Sequence, residues 1–142
     1  MTARTVQGRI AWFMGNNPPA VGQCLNHTWE AIRLPHGGIP DANAAVAYLR
    51  DNHKLYQGNP PRGAMVLWTS PTHGHAALSL GHSRLRGWRI CSTDVNGPAT
   101  VGRVPLSYIS VHWGHVYAGW SDWWGGETYP VGRPTKEGNH HV

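Results

Sequence analysis

Arg62-Gly-Ala-Met-Val-Leu-Trp-Thr-Ser-Pro-Thr-His-Gly-His-Ala-Ala-Leu-Ser-Leu-Gly81 is the stretch on which the fold turns. Residues 64–69 form a buried apolar run, and residues 75–80 form a strand closed by Gly81. Ser70-Pro-Thr-His-Gly74 between them reads as a turn. Downstream, 88–92 reads as the next strand, followed by a turn at Asn96-Gly-Pro98. Strands are expected again at 108–113 and 116–120. Upstream the period changes. Leu25, Thr28, Trp29 and Ile32 recur at the spacing of one helix face, so 23–33 is expected to be helical and to stop at Pro35 and Gly37-Gly38. Asp41 caps a second helix running through Ala44, Ala45, Ala47, Tyr48 and Leu49 to about Asn52. Gly58-Asn-Pro-Pro61 breaks it. Residues 1–22, with Gly15-Asn-Asn-Pro-Pro19, read as irregular. Helices followed by consecutive short strands predict an α+β domain with an antiparallel sheet. One domain over 1–128 is expected, with 129–142 as a flexible tail or linker.

Composition narrows the chemistry. The chain has 142 residues, long enough to bury a core. No apolar stretch approaches the length of a transmembrane helix, and the first fifteen residues lack the apolar core of a secretory signal. Two cysteines, Cys24 and Cys91, cannot build a disulfide framework. The net charge of +5 favours anionic surfaces. The arginines are scattered, however, and the one cluster, Arg84-Leu-Arg86-Gly-Trp-Arg89, reads as a solvated hairpin tip rather than a nucleic-acid patch. His73/His75 and His112/His115 are close pairs, but no HExxH or CxxC motif accompanies them, so neither a metal nor another cofactor is expected. His140 and His141 read as solvated.

Three residues form a chemical pattern. Cys24 begins a helix, where the dipole and free N–H groups favour a thiolate and can hold an oxyanion. His75 opens a strand whose His75, Ala77 and Ser79 face is small, which invites close helix packing and brings an imidazole to the thiol. Asp94 ends the next strand, where a carboxylate can orient that imidazole as the third member of a triad. Cys91 reads as a core residue.

These segments carry a resemblance. Val21-Gly-Gln-Cys-Leu-Asn-His27 resembles the nucleophile segment of the CHAP and NlpC/P60 cysteine peptidases and amidases. Pro60-Pro-Arg-Gly-Ala-Met-Val-Leu-Trp68 is similar to their glycine-led apolar strand, with Ala64 where Asp is frequent. Gly74-His-Ala-Ala-Leu-Ser-Leu-Gly81 is similar to their general-base strand, and Ile90-Cys-Ser-Thr-Asp94 to the strand that follows. Tyr117-Ala-Gly-Trp-Ser-Asp122 resembles an ending found in lysins of phages that infect actinobacteria. The resemblance covers roughly residues 20–124. It implies a papain-like fold, with N-terminal helices packed on an antiparallel sheet. It also implies a phage endolysin-type peptidoglycan hydrolase that cleaves an amide through a Cys24–His75–Asp94 thioester mechanism. His112 is the alternative third member, because Cys91 or Ser92 stands where one branch of the family has a second His. Gln23 is the expected oxyanion partner of the Cys24 N–H. Calcium-binding members carry an acidic loop before the Cys, and residues 1–23 contain no Asp or Glu.

Trp113 and Trp120 read as packing residues. Trp123 and Trp124, before Gly125-Gly126, are candidates to stack on glycan. Two other functions compete: a non-catalytic wall- or glycan-binding module that uses this Trp-rich end, and a thiol acyltransferase or deamidase-type toxin. The expected partner is bacterial peptidoglycan, with no nucleic acid, no membrane insertion and a monomeric state. A phage-encoded chain without a signal would act from the host cytoplasm on the wall through an outside route such as a pore, or leave by non-classical secretion.

Overall fold

The computed structural model describes residues 3–34 and 37–132. Among these, helices α1 (Val6–Gly15), α2 (Cys24–Ile32) and α3 (Ala42–Asp51) precede strands β1 (Met65–Thr69), β2 (His75–Ser83), β3 (Gly87–Thr93) and β4 (Val101–Pro105). Helix α4 (Tyr108–Trp113), strand β5 (Val116–Ser121) and the two-residue strands β6 (Trp123–Trp124) and β7 (Glu127–Thr128) follow. The main sheet has the order β4-β3-β2-β1-β5, and every pairing in it is antiparallel. The architecture is therefore α+β, as the order of elements predicts.

Helix α2 places Leu25, Trp29 and Ile32 in the core on its expected face. It ends where Arg33 turns left-handed; Pro35, the expected stop, lies outside the described residues. In α3 the Asp41 side chain accepts the Ala44 N–H at 2.9 Å, the cap its sequence predicts. Three elements differ from expectation. Residues 6–15 are helical, because the Thr5 hydroxyl accepts the Gly8 N–H and Ile10 and Phe13 bury one face. Residues 108–113 form a helix, not a strand. Their alternation suits a strand, but tertiary packing of Ile109 and the left-handed Gly114 cap override the β-branched propensity. Strand β4 went unread because Gly102 and Pro105 break the β pattern of a short edge strand.

The sheet is covered on both faces. Met65, Leu67, Ala76, Leu78 and Cys91 pack beneath α1, α2 and α3. Val66, Trp68, Ala77 and Ile90 form a second cluster with Ile109 of α4. The three N-terminal helices thus cover the Ala76 and Leu78 face of β2, not the His75, Ala77 and Ser79 face. Aliphatic Leu78 gains more from burial there than the small residues opposite would.

The domain also extends past residue 128. Tyr129 is buried, and its hydroxyl donates to the Ser121 carbonyl at 2.6 Å. Buried Arg9 donates to Gly63 O and Pro130 O, and its guanidinium lies over the Tyr129 ring. Gly132 N donates to Arg62 O at 2.6 Å. Residues 129–132, expected in the tail, therefore belong to the domain, and residues 133–142, with His140 and His141, lie outside the described residues.

The turn into β2 is held from α3. The Asn43 side chain donates to Ser70 O and Thr72 O and accepts the Ser70 N–H. Gly74 has φ +72, and a Cβ there would meet Trp68 O at 2.5 Å and Asn43 Oδ1 at 2.7 Å. Gly74→Ala is therefore expected to cost about 2 kcal/mol or more, from left-handed strain and clash together. Urea unfolding of the variant against the wild type measures it.

Candidate active site

One cavity of about 480 Å³ lies between the start of α2, the start of β2 and the end of β3. Gln23, Cys24, His75 and Asp94 all line it, together with Trp113 and His115. The fold therefore gathers the three residues of the expected triad, and Gln23, around one space.

Cys24 is the first residue of α2 and is nearly buried, with 8% of its surface exposed. Backbone N–H groups of Ala76 and Leu25 and its own N–H favour the thiolate. Burial outweighs them, and the nearby Asp94 carboxylate adds to it, so the thiol pKa is raised. The helix N-terminus does not make a resting thiolate here, contrary to expectation, because desolvation is the larger effect. Cys91 is fully buried, and burial pushes its thiol up to about 12. Iodoacetamide is thus expected to label Cys24 alone. Its rate should rise with pH through 9 without an early plateau, as peptide mapping after timed labelling would show.

His75 is the first residue of β2 and is 4% exposed. Trp113 meets its ring edge-on, with centroids 4.8 Å apart, and Trp68 lies on another side at 5.8 Å. Its Nε2 lies 2.7 Å from Ser92 Oγ. The Ser92 hydroxyl has one proton and donates it to the Thr93 carbonyl at 3.0 Å. Ser92 therefore accepts from Nε2–H, which fixes the tautomer and leaves the Nδ1 lone pair as the basic position. Nδ1 makes no hydrogen bond among the described residues, and none joins His75 to Cys24.

Asp94 makes no hydrogen bond to His75. The β2–β3 register pairs Leu78 with Cys91, which sets Ser92 opposite Ala77 on the His75 face. The chain turns left-handed at Asp94, φ 64, and its oxygens accept from Ala99 N at 2.8 Å and Gly22 N at 3.3 Å. The carboxylate thus braces the loop before Cys24. His112, the alternative, is exposed, stacks on Tyr108 and bonds the Tyr108 carbonyl. Gln23 accepts from the Asn26 side chain through Oε1, so its amide nitrogen is the end available to the cavity.

Trp123 and Trp124 lie apart from this cavity. Trp124 is 2% exposed and packs on Trp29 and Tyr48. Trp123 is half-buried and stacks on Tyr48, with Lys54 over its ring. The expectation that both stack on glycan is corrected for Trp124, whose faces are already covered by protein. Trp113 and His115 are cavity residues the sequence reading missed: the first was assigned to packing and the second weighed only as a zinc ligand. Neither carries a sequence signal for the site, because α4, which holds Trp113 and leads into the loop with His115, reads as a strand.

Burial, with His115 nearby, lowers the His75 pKa to about 3. Between about pH 3 and 6.5 the unfolded chain therefore binds a proton that the folded chain refuses. Stability is complete above pH 6.5 and is lost as pH falls through that window, by on the order of 5 kcal/mol at most. Buried His27 shifts the same way and adds to the loss. Urea melts at pH 7.5 and 5.0 should show the fall, and His75→Asn should make it smaller.

Asp41 accepts from the Ala44 N–H and bonds exposed His73 at 3.1 Å, at the cavity rim. Among the described residues no group of three His, Cys, Asp or Glu side chains is placed to hold a metal ion, and no helix is long and apolar enough to cross a membrane. No protein-family model matches the chain, and neither curated proteins nor solved structures yield a match.

Proposed function

We propose that this chain is a thiol hydrolase that cleaves an amide bond of bacterial peptidoglycan through a thioester on Cys24. The observation that carries the chemistry is a thiol at a helix start and an imidazole with its free Nδ1 set by Ser92, both lining one cavity. The substrate class comes from the likeness of the Cys24, His75 and Tyr117–Asp122 segments to CHAP and NlpC/P60 hydrolases. The papain-like fold belongs to the same proposal.

In this mechanism both groups rest neutral. Substrate entering the cavity closes the gap between Cys24 and His75, as catalytic hydrogen bonds commonly tighten on binding. His75 Nδ1 takes the thiol proton as sulfur bonds to the amide carbon. The amide oxygen becomes an oxyanion, held by the Cys24 N–H and the Gln23 amide at the start of α2. The C–N bond breaks, and Nδ1–H gives its proton to the departing amine. Water, losing a proton to His75, then attacks the thioester. Collapse releases the carboxylic acid and returns the proton to sulfur. Ser92 keeps Nε2–H engaged throughout.

Clearing of purified cell walls tests the reading. Wild-type protein should clear them, and prior alkylation of Cys24 should stop it. Clearing that survives complete alkylation contradicts the thiol mechanism, and no clearing at any pH contradicts the substrate.

A further inference from the structure

The cavity that holds Cys24 and His75 carries a sign of charge opposite to that of the chain. Lys and Arg outnumber Asp and Glu by 12 to 7, for a net charge of +5. Yet among the described residues no Lys or Arg lines this cavity, whereas two carboxylates, Asp41 and Asp94, do. The remaining titratable groups of the lining are Cys24 and three histidines. Cys24 and His75 rest uncharged through burial. His73 donates Nδ1–H to Asp41 Oδ2 at 3.1 Å, and His115 donates Nδ1–H to the Trp113 carbonyl at 3.1 Å. Walls of one sign focus their field inside a cleft, so this cavity attracts cations although the molecule as a whole attracts anions.

The two carboxylates differ in what holds them. Asp94 accepts from Ala99 N and Gly22 N, and lies close enough to Cys24 to act on the charge of the sulfur. Asp41 stands at the N-terminus of α3, beside His73. Its Oδ1 accepts the Ala44 N–H at 2.9 Å, and its Oδ2 accepts the His73 N–H. Each carboxylate oxygen has two acceptor positions, so one on each oxygen is left for a ligand. The Asp41 side chain is 26% exposed, within reach of a molecule that enters the cavity. A planar guanidinium fork pairs best with a carboxylate whose two oxygens are both open. With both already engaged once, Asp41 suits a compact ammonium, which needs a single lone pair.

We infer that Asp41 is a specificity-determining residue, and that the site takes substrates carrying a primary ammonium close to the scissile amide. The inference rests on the proposed reaction for the amide, whereas the preference for a cation belongs to the cavity itself. A peptide offers such an ammonium at its terminal amine or on a diamino side chain, and both present the same cation to Asp41.

Thiol probes of opposite charge test the cavity on the full chain without any hydrolysis. Cys24 is modified with cationic aminoethyl methanethiosulfonate and with anionic sulfonatoethyl methanethiosulfonate, and the ratio of the two rates is divided by that for free cysteine. The wild-type ratio should favour the cation by at least about tenfold and shrink with added salt. Asp41→Asn should cut that ratio by about threefold or more. Asparagine caps a helix as well as aspartate does, so α3 keeps its start. Asp51→Asn removes an equal charge at the far end of α3, outside the cavity, and should leave the ratio unchanged. A wild-type ratio no higher than that of free cysteine overturns the inference, as does an equal fall in Asp41→Asn and Asp51→Asn. Stem peptides acetylated at the terminal amine alone or at the side-chain amine alone then test the substrate. Blocking the ammonium that is read should raise KM at least about tenfold in wild type and far less in Asp41→Asn. Unchanged KM with both acetylated peptides overturns the inference. Failure of hydrolysis with the cation preference intact would count against the proposed reaction alone.

Discussion

Cys24→Ala should lower the rate of peptidoglycan amide hydrolysis by at least about a thousandfold, because no other group in the cavity can form the thioester. Cys24 is nearly buried and small, so alanine leaves the packing of Leu25, Trp29 and Ala76 in place and the fold should survive. His75→Ala should cost a similar factor, since in this mechanism Nδ1 takes the thiol proton and passes it to the amine. The two losses should not add, because each group is useless to the reaction without the other. Cys91→Ser should leave the rate unchanged, since Cys91 is fully buried in the sheet core, its thiol bonded to Leu78 O. Initial rates of amine release from purified walls, beside thermal melts of each variant, would check all four.

The second large effect is expected at Ser92. In Ser92→Ala the His75 Nε2–H loses its acceptor in a site with almost no access to water. An unsatisfied buried donor costs about 1–3 kcal/mol. The imidazole escapes part of that cost by moving its proton to Nδ1, the tautomer that cannot take the thiol proton. The expected result is a fall in kcat of about ten- to a hundredfold with KM little changed. A tautomer exchange seen in the ¹⁵N shifts of His75 should accompany it. A purely structural role for Ser92 would lower the melting temperature and leave that spectrum unchanged. Asp94→Asn supplies the contrast. It removes a negative charge that raises the Cys24 pKa, so alkylation of Cys24 should speed up while the His75 tautomer stays fixed.

Much of this arrangement was legible in the sequence, for identifiable reasons. The Leu25–Ile32 face and the Asp41 cap are local signals, and local signals survive into the fold. Gly74 marks a position where a side chain would strike Trp68 O and Asn43, so the glycine before His75 reports the turn directly. That Cys24 and His75 line one cavity is legible because helix start and strand start are each visible one element at a time. The partner of His75, Ser92 where Asp94 is expected, has a different origin. Strand order and even register place Asp94 beside His75, but a single left-handed residue at the strand end turns its carboxylate toward Gly22. Backbone φ at one aspartate is not a pattern in the sequence, whereas the Ser92 contact depends on the pairing of Leu78 with Cys91 across the sheet. Trp113 and His115 stayed hidden because Tyr108–Trp113 has the composition of a strand and the packing of a helix. Arg9 and Tyr129 show the same limit. Their contact joins residues far apart in the chain, so the end of the domain could not be read from the composition of its last segment.

The most direct test is a digest of purified peptidoglycan by wild type and Cys24→Ala in parallel, with the products weighed by mass spectrometry. The account predicts that wild type converts one defined amide into a carboxylic acid and an amine, the pair heavier than the parent by one water, and that Cys24→Ala yields neither. Intact peptidoglycan after wild-type treatment, or the same product pair from Cys24→Ala, would contradict it.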